Sequence, residues 1–441
     1  MHPLTRRSYS LAGRAAERAS KFRQGHIGVA VVFARRHHVG AVVVGAGPAG
    51  IATVGTLLET LPRYAGRIVW IDPKFDAGKI ARYSEVPSNT KAGLFLDYAH
   101  AVEPFRAICA SAKHRPNPVT TIADMPQHET CSLSYAGDML RFLTRGLHQH
   151  ERVEPRLGYL KTTNWDAASP TLRLAYQPAQ KLLAAEEGSL ASPMVVFCTG
   201  SSPRTIALPS NPPLLPLETA LTPSLLGATL DRTRNLQVGV IGSSHSAVLV
   251  LMNLARLAQS THPHLRVRWF SRSPTFKYAE QRDGWILYDN TGLKGIAAHF
   301  ARAELEGDRL ATSDAGKVVQ RIDCGGSAEA EKQALGAWAP RCDYVVQAIG
   351  FDADPVPVDN SVKLVFDHET GAFGDSTGMP VRGLFGAGIA FPERTTDPVG
   401  NTEHAVGFWK FMRFLKRVVP QWVEDVYHVE EPRRQAGGVS T

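Results

Sequence analysis

The sequence predicts an α/β fold of two Rossmann-like dinucleotide-binding domains, the second inserted into the first. Three features predict it. A strand-forming run at residues 42–44 enters the turn Gly45-Ala-Gly47-Pro48-Ala49-Gly50. The same plan of strand, small-residue turn and helix recurs at residues 236–247, with Gly242 and Ser244 at the turn and Ser246 or Ala247 in the third small position. Two further apolar runs, ending in Thr199-Gly200 and Ile349-Gly350, flank this second copy. Glycine at such a turn allows the bend, the close approach of a pyrophosphate and tight helix–strand packing, while the helix N-terminus faces the anion.

A chain of 441 residues has room for several domains and a large core, and 44% hydrophobic with 20% charged residues is the composition of a globular protein. The net charge of +8 is concentrated at the start. Residues 1–38 hold eight Lys/Arg against one acid, Glu17, which leaves +1 for the rest. No general basic surface is expected, and hence no nucleic-acid partner. The arm is rich in Arg, Ala and Ser and resembles an organelle transit peptide, with a disordered extension as the alternative. The expected compartment is the cytoplasm or the mitochondrion. The apolar run at 27–34 is too short to span a bilayer, and the uncharged run at 39–58 contains the glycine turn, so no transmembrane segment is expected. Five scattered cysteines, without a C-x-x-C pair, imply neither a disulfide framework nor zinc.

Along the chain, the first turn leads into a helix and then into the strand at 67–71, which ends in Asp72. A carboxylate there is placed to accept hydrogen bonds from ribose hydroxyls. Next comes Pro87-Ser88-Asn89-Thr90-Lys91, a loop of amide, hydroxyl and ammonium donors before an apolar helix. Its Ser, Asn and Thr also suit plain helix capping. A helix is expected at 137–150 and an antiparallel meander through 171–176. The second turn is followed by a helix at 248–258 and a strand at 265–270, which ends in Ser271-Arg272 where the first copy has an acid. A cation at that place suits the 2′-phosphate of NADPH. Residues 277–294 interleave aromatics with acids and amides, as a substrate pocket or a structured surface loop would. His245, inside the second turn, is placed to contact nicotinamide or phosphate, or to pack. The run 383–389 is a strand entering a turn. A helix is expected over 402–418, with Asn401 or Thr402 as its cap and Lys410, Arg413, Lys416 and Arg417 near its end. The expected organisation is a basic arm at 1–38, an outer domain at 39–230 and 345–425, an inner domain at 231–344, and a flexible tail at 426–441.

Together these motifs resemble flavoproteins with two dinucleotide-binding domains, the superfamily of the pyridine nucleotide-disulfide reductases and the class B flavin monooxygenases. The resemblance covers residues 39–418. It implies that Gly45, Gly47, Pro48, Ala49, Gly50 and Asp72 hold the ADP half of FAD, and that Gly242, Ser244, Ser246 and Arg272 hold NADPH. It also implies that Thr199, Gly200 and Gly350 join the two domains, that residues 386–388 with Gly388 run under the flavin, and that the last helix points its N-terminus at the flavin pyrimidine. Asn89 and Lys91 are then placed to touch flavin N5/O4 or a substrate carboxylate, as the candidate catalytic residues. Three departures narrow the reading. No cysteine pair exists for a dithiol relay. Ile389 stands where many members have an aspartate for the ribityl chain, which leaves Asp397 and backbone amides as substitutes. The F-x-G-x-x-x-H signature of Baeyer–Villiger enzymes is missing. The expected function is an FAD- and NADPH-dependent oxidoreductase of the flavin monooxygenase type. Its partners would be a small-molecule substrate and molecular oxygen, with a homo-oligomer possible. The alternatives are an NADPH-dependent reductase of a quinone or other soluble acceptor, and a non-catalytic flavin-binding regulatory protein.

Overall fold

In the strand Val39–Val44 five successive residues are buried, because it lies inside a parallel sheet covered on both faces. The computed structural model describes residues 38–112, 116–165, 171–179, 188–209, 211–273, 275–358 and 363–427. The basic arm before His38 and the expected tail beyond Tyr427 lie outside the described residues.

The larger sheet has nine strands. Its parallel centre runs Pro380–Gly386, Val195–Phe197, Val39–Val44, Arg67–Asp72 and Val153–Asn164. One edge continues antiparallel through Leu172–Pro178 and Gly188–Ser192, the expected meander, and the other through Ala372–Gly374 and Val365–Phe366. The smaller sheet is wholly parallel, in the order Val319–Asp323, Leu265–Ser271, Leu236–Ile241, Tyr344–Gln347. The strand Tyr344–Gln347, at the expected outer boundary of the inner domain, thus belongs to the smaller sheet. A two-stranded ribbon, Ser201–Pro203 paired antiparallel with Phe351–Ala353, joins the segments that leave the two sheets.

The two sheets share a register. Val44 faces Ile71 in one, and Ile241 faces Phe270 in the other. The strand-end positions Asp72 and Ser271 are therefore equivalent, as are Trp70 and Trp269. Helices Pro48–Thr60 and His245–Ser260 follow the two turns.

The end of the chain departs from expectation. Residues Thr402–Ala405 form a strand paired with Glu393–Thr396, and the last helix is Phe408–Tyr427. The cause lies in the turn between the strands. Asp397 accepts the backbone N–H groups of Val399 and Asn401 and the Asn401 side-chain amide, which folds the chain back on itself. The helix buries Phe411, Met412, Leu415, Val418, Val419, Trp422, Val423 and Val426, the 3.6-residue stripe of a helix packed on a sheet. It passes through Pro420 and ends at Tyr427. Val426 and Tyr427, assigned to a flexible tail from sequence, are therefore its last turn. Lys410, Lys416 and Arg417 fall in its first half, not near its end.

Candidate functional site

The first turn is closed by backbone on all sides. Gly45 has φ +105°, and a Cβ there would lie 2.3 Å from the Cys198 carbonyl oxygen; a Cβ on Gly50 would lie 1.9 Å from the Gly45 oxygen. The Trp70 indole Nε1–H donates to the Gly45 carbonyl at 2.9 Å, and the Gly45 N–H donates to Ile71 at 2.8 Å. Gly47 sits at the N-cap without a side-chain cap, Pro48 has no N–H, and the first intrahelical bond comes from Ile51. The N–H groups of Ala49 and Gly50 are thus free for an anion. Gly78 and Gly388 crowd the same helix start; a Cβ on them would lie 2.7 Å from Gly47 Cα and 2.6 Å from Ala49 Cβ. A narrow cradle without side chains results, as an extended diphosphate requires.

Asp72 is buried and heavily used. Its Oδ2 accepts the Ala46 N–H at 2.8 Å, and its Oδ1 accepts those of Lys74 and Phe75 at 2.8 and 2.7 Å. Oδ1 is saturated, which leaves room at Oδ2 for one ribose hydroxyl. Asp72 therefore braces the turn and keeps one acceptor position to spare. Cys198, behind Gly45, is fully buried and its thiol is pushed up to about 12 by burial, so it remains an inert thiol.

The second turn repeats this construction. Gly242 has φ +126° and its Cβ would lie 2.3 Å from the Ala348 carbonyl oxygen; the Trp269 Nε1–H donates to the Gly242 carbonyl at 2.8 Å. Of the two candidates for the third small position, Ala247 is the buried one that matches Gly50, and Ser246 precedes it in the first helical turn. Ser244 is the N-cap, yet its hydroxyl makes no capping bond, and the helix N–H groups remain free. In place of Asp72 stands Ser271, whose hydroxyl donates to Ser273 O at 2.6 Å and lies 2.8 Å from the Ser243 hydroxyl. The strand end has thus lost its negative charge. The turn opens on a cavity of about 530 Å³, with Arg204, Arg272 and Lys277 in its wall against a single acid, Glu331. Arg272 Nε donates to Glu331 Oε1 at 2.9 Å.

The two Trp–Gly hydrogen bonds separate the turns experimentally. Each indole N–H removed leaves a half-buried carbonyl without its donor, which costs about 1 kcal/mol or more. On the sequence reading of FAD at the first turn and NADPH at the second, Trp269→Phe is expected to weaken NADPH binding about tenfold and leave the flavin content unchanged. Trp70→Phe is expected to lower flavin content and leave NADPH affinity of the remaining holoenzyme unchanged. Flavin absorbance per protein and a nucleotide titration check both.

The polar stretch at 277–294 folds into the edge of this cavity through Thr291 and makes an ion cluster with the last helix. Asp289 pairs with Lys294 and, at 2.7 Å, with Lys410. Asn290 accepts from Lys410 at 2.5 Å and donates its backbone N–H to Glu403 at 3.0 Å; the Thr291 N–H and hydroxyl donate to the other Glu403 oxygen. Burial raises the Asp289 carboxyl pKa, but hydrogen bonds from Lys294 and Lys410 outweigh it and hold the group below the ordinary aspartate range. Lys410 is lowered by burial against the opposing pull of Asp289. This lysine lies in the first turn of its helix, where the dipole disfavours a cation, so its partner matters the more. Nearby, His245 Nδ1 is buried without a partner among the described residues, and burial, then the Lys294 charge, pushes its pKa down to about 4. Its ring is neutral at neutral pH.

Asn89 and Lys91 lie elsewhere in character. Residues Pro87–Lys91 form a strand paired with Thr130–Ser132, not a loop, and both side chains are exposed. Capping does not explain them. The Ser88 hydroxyl closes a local turn with Thr90, and the first N–H groups of the next helix, at Ala92 and Gly93, bond to Glu129 O and Gln127 O. This strand pair lies against Gly295, one residue beyond Lys294, since a Cβ there would be 3.8 Å from Ser88 O. Thr199, Gly200 and Gly350 flank the ribbon between the sheets. Asp354 N–H bonds to Gly200 O and Arg204 N–H to Gly350 O, while Lys79 Nζ gathers Ser201 O, Ser202 Oγ and Asp354. Asp397, offered as a ribityl anchor, is committed to its hairpin turn. Glu403 and Glu331 have no sequence-based expectation as site residues, and Lys410 is expected only as a helix-end cation.

No helix among the described residues is long and apolar enough to cross a membrane. No family model matches the chain. A curated relative, "Monooxygenase AgnR1" of Paecilomyces divaricatus, is 46% identical over 392 residues, covering 87% of this chain and 97% of the relative. Among solved structures, ornithine N-hydroxylase of Kutzneria sp. 744 superposes with TM-score 0.57 at 12% identity, covering 87% of this chain and 99% of that one. The cadaverine monooxygenase of Erwinia amylovora superposes with TM-score 0.58 at 11% identity, over 92% and 99%. These two distant matches establish the fold.

Proposed function

Because this chain belongs to the flavoprotein monooxygenases with two dinucleotide-binding domains, we propose that its first turn holds FAD, its 530 Å³ cavity holds NADPH, and it transfers one atom of molecular oxygen to a small-molecule substrate. The observation that carries this reading is the pair of matched turns. Both first glycines press on a strand-end carbonyl and accept from a tryptophan, and only the second has exchanged its acid for serine beside an arginine. FAD and NADP are the cofactors named for the ornithine hydroxylase of like fold, and the residues present fit them.

When bound, a flavin accepts hydride from the nicotinamide and then reacts with oxygen. The protein's own work is placement. The free N–H groups of Ala49 and Gly50 hold one diphosphate and those at the start of the His245–Ser260 helix the other. Arg272 faces the 2′-phosphate. The neutral ring of His245, the first residue of that helix, adds no charge beside Lys294. Asn89 and Lys91, exposed beside the start of the Gly295–Phe300 helix, are the candidates for orienting flavin or substrate. The family favours oxygen transfer over the quinone-reductase and non-catalytic alternatives.

Anaerobic mixing with NADPH followed by addition of oxygen tests this. NADPH is expected to bleach the flavin absorbance much faster than NADH at equal concentration, and oxygen to restore it. Absence of bleaching by either nucleotide would overturn the assignment.

A further inference from the structure

The cavity's single acid has a use beyond balancing charge. Glu331 lies in the first turn of the helix Ala328–Trp338, far in sequence from the second glycine turn, and its side chain is only 16% exposed against 72% for Arg272. It meets the guanidinium through one atom alone. Nε donates to Glu331 Oε1 at 2.9 Å, and no described residue bonds either Nη. A half-buried carboxylate therefore fixes the root of an exposed fork whose four remaining N–H groups are unspent. Glu331 itself makes no other side-chain bond among the described residues. Its place in the first turn of that helix suits a carboxylate.

We propose that Glu331 is a positioning residue for the 2′-phosphate of NADPH, acting through Arg272, and so sets the preference for NADPH over NADH; this rests on the NADPH reading of the cavity. The physical argument is one of preorganisation. A free arginine at a strand end samples many rotamers, and ordering it on binding costs affinity. Bound at Nε, its planar Nη pair is presented to the cavity, where a phosphate takes two parallel hydrogen bonds. The opposing effect is repulsion between Glu331 and the phosphate. At the exposed rim, solvent screens it, and the guanidinium stands between the two anions. Ser271 completes the arrangement, since an aspartate in that position would bring a second carboxylate to the same phosphate.

Five holoenzyme forms decide the matter: wild type, Glu331→Ala, Glu331→Gln, Arg272→Ala and the Glu331→Ala/Arg272→Ala double variant. Dissociation constants for NADP+ and NAD+ are measured by titration. Glu331→Ala is expected to weaken NADP+ about tenfold and leave NAD+ within about twofold. Glu331→Gln retains an acceptor for Nε and is expected to recover most of the loss. In the Arg272→Ala background, Glu331→Ala should have no further effect. Tighter NADP+ binding by Glu331→Ala would mean that repulsion dominates, and the same loss with Arg272 already removed would mean a purely structural role; either overturns the proposal. If Arg272→Ala instead weakens both nucleotides equally, the 2′-phosphate assignment itself is wrong, which the other outcomes do not imply.

Discussion

A Gly45→Ala chain is expected to lose both its flavin and much of its stability, whereas Gly47→Ala should lose the flavin alone. The two glycines are two residues apart and differ in what surrounds them. At Gly45 the added methyl meets the Cys198 carbonyl oxygen at 2.3 Å, and the φ of +105° suits glycine only. Neither backbone can retreat, because the Cys198 N–H is bonded to Val44 and the Gly45 carbonyl to Trp70. Strain and overpacking together are expected to cost about 3 kcal/mol or more. At Gly47 the nearest protein atom is Gly78 Cα at 3.9 Å, an ordinary contact. The methyl there enters only the space proposed for a diphosphate. Denaturant midpoints and flavin-to-protein ratios separate the two cases. Full flavin content in Gly47→Ala would remove the phosphate cradle from the first turn.

The ion cluster between the last helix and the Tyr288–Lys294 region should give the second largest effect. Asp289→Asn leaves Lys294 and Lys410, whose side chains are 23% and 17% exposed, without their anion. Removing one member of a buried pair costs about 3–5 kcal/mol, and partial exposure places this one near the lower end. The pH dependence follows from the directions of the shifts. Asp289 is held below its unfolded pKa, so its stabilising contribution is present above the ordinary aspartate pKa and is lost as pH falls through the folded value. Wild type is therefore expected to lose stability on acidification over that window, and Asp289→Asn to lose less. Lys410 is depressed by burial, so the folded state binds fewer protons than the unfolded chain and stability rises as the pH rises from the folded towards the unfolded pKa. Without Asp289 this alkaline rise should steepen. Thermal melts from acid to alkaline pH check both limbs, and an unchanged profile in the variant would exclude the cluster as a structural tie.

Much of this architecture is written locally. The glycine turns are legible because positive φ and a carbonyl within a Cβ's reach leave one residue type at Gly45 and Gly242. The strand ends follow from apolar runs, and the loss of the acid at Ser271 follows from counting along the second copy. The pair of tryptophans was legible in principle, since Trp70 and Trp269 lie 25 and 27 residues beyond their glycines. Other parts depend on tertiary contact. Residues Thr402–Ala405 have nothing against helix in their own composition; the Asp397 turn converts them to a strand, and Asp-Pro followed by Gly400 was the signal for it. That shift moved Lys410 from an expected helix end to a helix start. No local pattern joins Glu331 to Arg272, or Glu403 to Thr291, because both pairs exist only after the chain has closed.

The matched indoles also make the molecule its own instrument. Each is held by a hydrogen bond to one of the two glycine turns, and both side chains are buried. Their emission overlaps the absorption of flavins and of reduced nicotinamides, so under the proposed function each is a fluorescent donor seated beside a different acceptor. With seven tryptophans in the chain, subtracting the Trp70→Phe or Trp269→Phe signal at matched cofactor occupancy isolates one of them. Occupancy of the two cofactor sites then becomes two separable optical channels, read in the dark-adapted, substrate-free enzyme without any added label.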